Sequence, residues 1–191
     1  MRVWATVTMI SLSLNATVTH ASQCNHDNWQ TLLERQLSTE KHYNQYTLEF
    51  NQALFRYQSQ TLLSTHFTEK QIIKLWDKYK DRFNVQLNNH MNTAYLTAEV
   101  LLKRADAVSA KQEDAQSLKR AWQSLAKHCE VSRLFLQYQS ALLHVQGSQS
   151  LVKDINTLSE KFRQLSLRYR NEATILDGVR QEKQPTQDVL N

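Results

Sequence analysis

Leu101-Leu102-Lys103-Arg104-Ala105-Asp106-Ala107-Val108-Ser109-Ala110-Lys111-Gln112-Glu113-Asp114-Ala115-Gln116-Ser117-Leu118 is the stretch on which the architecture turns. Leu101, Arg104, Val108, Lys111, Ala115 and Leu118 keep one helical phase through it, and neither Gly nor Pro interrupts. Read as continuous, the stretch fuses two helices into one long rod, with the remaining helices packed at opposite ends. Read as broken, it holds a helix start at Ser109, because Ser109-x-x-Gln112 has capping-box spacing and large apolar residues run out there. The break is the preferred reading. It makes the chain an all-α, elongated, coiled-coil-like four-helix bundle running up-down-up-down.

Outward from this stretch, four apolar series of near-3.5 spacing define helices over 26–64, 69–107, 110–146 and 150–178. The first opens near Asp27. The second opens with Thr68-x-x-Gln71 and runs through Ile72 and Trp76. The third carries Leu118, Trp122 and Cys129 to Gly147. The fourth runs Leu151, Ile155, Leu158, Phe162, Leu165, Tyr169, Glu172 and Leu176 to a cap at Gly178. Connections of two to five residues force antiparallel neighbours.

Composition agrees with this. The 191 residues contain two Gly and one Pro, too few for glycine-rich phosphate loops or the frequent turns of a β-sandwich. Glutamine and asparagine number 32, and Gln36, Thr47, Thr61, Gln86, Thr97, Ser132 and Gln139 fall on seam positions. Polar seam residues cost stability unless they set register or meet a ligand or a second chain. Trp29, Trp76 and Trp122 read as core anchors.

Met1-Arg2 followed by a short uncharged run and Thr19-His20-Ala21 has the layout of a signal peptide over residues 1–21. The bundle domain is then 22–179, and the polar, Pro185-containing stretch 180–191 is a disordered tail. The expected location is the periplasm or the medium. Removing Arg2 leaves 22 basic against 18 acidic residues, a modest surplus that suits loose contact with anionic envelope components but not a specific nucleic-acid footprint.

Export suggests a Cys24–Cys129 disulfide. In the four-helix reading, however, Cys129 lies ~25 Å along the rod from Cys24, well beyond the reach of a bridge. The question stays open at this level. The same reading stacks His42, His90 and His128 in one layer with Cys129, a donor set suited to zinc or copper, although packed or solvated histidines explain the same spacing. Lys161, Arg163, Arg168 and Arg170 form an acid-free cluster suited to an anion, with a charged outer face as the plain alternative. No catalytic motif and no cofactor motif is present.

The expected function is therefore that of a non-enzymatic exported bundle acting by contact with another protein or with itself, as an adaptor, chaperone-like or assembly factor. A metal or small-molecule sensor with a site near His90 and an anionic-polymer binder using 161–170 are the alternatives.

Overall fold

The computed structural model describes residues 24–78 and 80–183. The proposed leader 1–21, and the part of the proposed tail beyond 183, lie outside the described residues. The described chain is helical, with α1 His26–Ser59, α2 Leu63–His66, α3 Glu69–Lys78, α4 Lys80–Val131 and α5 Phe135–Lys183, and no strand.

The stretch 101–118 is continuous helix, so the preferred break at Ser109 is overturned. α4 runs 52 residues, about 78 Å, through Ser109 and Gln112. What looked like an exhausted core is a seam of small residues. Ala98, Ala105, Val108 and Ala115 are buried against α5, where Ser159 and Ser166 are buried in turn. Small side chains let the two backbones approach closely. The Ser159 hydroxyl donates to the Ala105 carbonyl at 2.8 Å and the Ser166 hydroxyl to the Ala98 carbonyl at 2.7 Å. These two buried hydroxyls are thereby satisfied and fix the register of the hairpin.

Gly147, the expected terminator of the third helix, lies inside α5. So does Gly178, the expected cap of the fourth, and α5 continues to Lys183, into the stretch read as a tail. The reversal falls instead at Ser132–Leu134. Arg133 takes the left-handed conformation with φ 60°. Its N–H bonds the Glu130 carbonyl at 3.0 Å, and the Leu134 N–H reaches back to the Cys129 carbonyl at 2.9 Å. This pair of bonds is the Schellman closure of a helix. Glycine normally fills that position, and a side chain there costs on the order of 1 kcal/mol.

α1 lies along the α4–α5 hairpin, antiparallel to α4 and parallel to α5. Contacts to α4 pair Cys24 with Cys129, Arg35 with Ser117 and Glu49 with Arg104. Contacts to α5 pair Gln36 with His144, Phe50 with Phe162 and Gln60 with Tyr169. α1 starts at His26, as the 26–64 range expects, but its cap is Asn25, whose Oδ1 accepts from the Asn28 N–H at 2.9 Å, rather than Asp27. Beyond α1, α3 packs on both hairpin arms and buries Ile72 and Trp76. The architecture is thus a long hairpin with an interrupted third rod rather than four equal helices.

The expected polar seam is not the core. Gln86, Gln139 and Thr61 are exposed, and Gln36, Thr47, Thr97 and Ser132 are half-buried. Among the described residues, the buried polar ones are Ser148, Ser159, Ser166 and Glu172.

Cys24 and Cys129 are bonded, with Cα atoms 5.2 Å apart. The distance argument against this bond assumed a third helix starting near 110. Because α4 instead ends at Val131, Cys129 sits at the hairpin end, where α1 begins. Around the bond, Trp122 is fully buried, stacks on His144 with ring centroids 4.2 Å apart and meets Trp29 in a T-shaped contact at 5.2 Å. Burial lowers the His144 pKa, and Glu40 opposes this only partly.

Candidate functional site

Among the described residues, Glu172 is a carboxylate with no exposed surface. α5 presents it to the segment between α1 and α3, where the first rod breaks. Its Oε1 accepts the Leu63 N–H at 2.8 Å, and its Oε2 accepts the Ser64 N–H at 2.9 Å. These are among the unpaired donors with which the short α2 begins. His90 of α4 adds a third bond, Nε2 to Oε1, at 2.9 Å. Burial pushes the Glu172 carboxyl upward, but the bonds from His90, Ser64 and Leu63 outweigh it and hold the pKa at about 2. The carboxylate is therefore ionised and accepts only, so His90 Nε2 is the donor.

One carboxylate thus ties three elements together: α5 carries it, α2 is capped by it and α4 supplies its imidazole. The three bonds engage both of its oxygens, so it acts as a strap between these elements.

This fixes a pH dependence. Glu172 has its pKa lowered from 4.5 to about 2 on folding. Its contribution is fully present above about pH 4.5 and is lost as pH falls through 2. Urea midpoints of the native chain and Glu172→Gln should therefore differ most above pH 4.5. The gap, on the order of 3 kcal/mol, should close towards pH 2. A gap that does not change with pH would contradict the assignment.

Beside the strap, a cavity of about 230 Å³ is lined by Gln60, Thr61, Leu62, His90, Thr93, Ala94 and Tyr169. The Tyr169 hydroxyl donates to Gln60 Oε1 at 3.0 Å. Burial pushes its phenol pKa up against the opposing field of Arg56. Sharing Thr93 and Tyr169, a second opening of about 300 Å³ follows the groove between α1 and α4. Ala53, Leu101 and Tyr169 form its buried floor. Leu96 and Val100, 69% and 59% exposed, form its α4 rim, and Arg56 stands on the α1 side.

The proposed metal set is not brought together. His42 is exposed on α1. From the α1–α4 pairing it stands level with Lys111, about 31 Å along α4 from His90 and about 26 Å from His128. Cys129 is bonded to Cys24, and among the described residues no group of three His, Cys, Asp or Glu could hold a metal. The fused α4 is the physical reason: it turns a supposed layer into three separate levels.

The basic cluster divides into two faces. Arg163 pairs with Asp106 at 2.7 Å, and Arg170 pairs with Glu99. Both acids belong to α4, so the acid-free stretch in sequence is not acid-free in space. Arg168 lies over the Tyr57 ring at 5.5 Å, and Lys161 is exposed one heptad before it. Two of the four cations are thus already matched.

Glu172 was visible in the sequence only as an acid on a core position. That position was the signal for a buried strap, but its partners at Leu63 and Ser64 come from the other side of the chain. Comparison with protein-family models, with curated proteins and with solved structures finds no match.

Proposed function

We propose that the protein is an exported, non-enzymatic helical-bundle protein of the cell envelope, periplasmic or secreted, that works as an adaptor or assembly factor by gripping another protein along the α1–α4 groove. The leader-like residues 1–21 and a disulfide closing more than half the chain support an oxidising compartment. Among the described residues no helix is long and apolar enough to cross a membrane.

The groove carries the reading. A three-rod bundle leaves room for a fourth, and a partner helix laid between α1 and α4 would cover Leu96 and Val100 while meeting Ala53 and Tyr169 below. Arg56 at the edge favours an acidic residue on that helix. The small-molecule alternative near His90 has less support, because its cavity is smaller than an ordinary ligand pocket and His90 already serves Glu172.

A photo-crosslinker at Thr97 in cells should trap a single partner protein. Leu96→Asp with Val100→Asp should abolish the adduct while changing stability by no more than about 0.5 kcal/mol, since both side chains are exposed. An adduct that survives both charges would refute the groove as the contact.

A further inference from the structure

The hairpin end carries an apolar apex. Val131, Phe135 and Leu136 are strongly exposed, the last two at 73% and 84%, and Leu134 stands between them. Three consecutive apolar residues at an exposed end are costly unless something covers them. Successive helical residues point about 100° apart, so Phe135 and Leu136 do not share one face, an arrangement that a fluid surface accommodates without a shaped groove.

The charge around the apex selects the surface. Between Asp114 and Asp154 the sequence holds Lys119, Arg120, Lys127, Arg133 and Lys153 against the single acid Glu130, and residues 134–152 carry no Lys, Arg, Asp or Glu. Glu130 is engaged by Lys127 at 2.9 Å. α1 adds Asp27, Glu34 and Arg35 to this end, so that between the Arg35–Ser117 contact and the reversal five bases, Arg35, Lys119, Arg120, Lys127 and Arg133, stand against three acids, Asp27, Glu34 and Glu130, with Lys153 further up α5. Lys127 lies one helical turn, about 6 Å, above Val131, the depth that separates inserted side chains from headgroups. Arg133 occupies the left-handed closing position that glycine would fill without strain. Arg133 thus places a cation at the apex at some cost in backbone conformation. The disulfide and the Trp29–Trp122 contact tie this end together.

We propose that the apex docks on an anionic lipid surface, with Phe135 and Leu136 entering the interface and Arg133 meeting lipid phosphates. This leaves the α1–α4 groove, far up the rod, free for its own partner.

The test uses the exported chain with its disulfide oxidised, and vesicles of phosphatidylcholine alone or mixed with phosphatidylglycerol. The chain should sediment with the mixed vesicles and far less with the neutral ones, and added salt should weaken the binding. F135S/L136S should lose at least about tenfold in binding with an unchanged melting curve. R133G should lose about fivefold while melting at the same or a higher temperature, which separates the cation's role from any structural one. Because all variants share one N-terminus, that segment cannot account for the differences. Equal binding to both vesicles, binding indifferent to F135S/L136S, or no binding at all overturns the proposal. In the last case a crosslinker at position 135 that captures a protein would reassign the apex to a protein contact.

Discussion

Replacing Cys24 and Cys129 together by serine is expected to lower the melting temperature by about 10 °C or more. The bond closes a loop of more than a hundred residues, with a sequence separation of 105, and such a closure restrains the unfolded chain by about 4 kcal/mol. In a domain of this size that corresponds to several degrees per kcal/mol. The effect should also be local. The first turns of α1 hold to the hairpin through Trp29, Leu32 and Leu33 beside the bond. Without it, Trp29 should leave its T-shaped contact with Trp122, and tryptophan emission should shift to the red before the main transition. A double variant that melts within about 2 °C of the native chain would show that the aromatic cluster holds this end unaided.

Glu172→Ala is expected to cost about 3–5 kcal/mol, because it leaves the Leu63 and Ser64 N–H groups and the His90 imidazole without their shared acceptor in a buried site. His90→Ala removes one donor and keeps the carboxylate capped by two amides, so its cost should be much smaller, about 1 kcal/mol. Denaturant midpoints give the totals. Hydrogen exchange locates the damage, which should centre on α2 and α3 and spare the Ser159 and Ser166 seam. Equal losses from both variants would mean that the imidazole, rather than the amides, is what the carboxylate serves.

Helical class, the near absence of breakers and the anchors Trp76 and Trp122 were legible in the sequence, because apolar periodicity records burial directly. The Thr68–Gln71 pair was also legible: the Thr68 N–H donates to Gln71 Oε1 at 2.8 Å at the head of α3. An identical spacing at Ser109–Gln112 misled, since Ser and Gln recur by chance in so glutamine-rich a chain, and small residues look alike in a loop and in a close-packed seam. The true reversal was hidden because Val131-Ser132-Arg133-Leu134 contains no glycine or proline, and only the backbone reveals Arg133 in a glycine's conformation. Once the break was misplaced, every axial estimate followed it. The histidines seemed to share a layer, and the cysteines seemed too far apart. The basic cluster at 161–170 looks different in space for another reason: the acids that pair with Arg170 and Arg163 lie on a different helix, at Glu99 and Asp106.

The hydroxyl contacts of Ser159 and Ser166 recur after seven residues, matching Ala105 and Ala98 on the facing arm. Such an interface behaves like a ruler with repeated marks. Removing one repeat from each of α1, α4 and α5 would shorten the rod by about 10 Å while leaving every face pointing as before. The distance between the Ser132–Leu134 reversal and the α1–α4 groove can thus be altered in fixed steps without changing the surface of either.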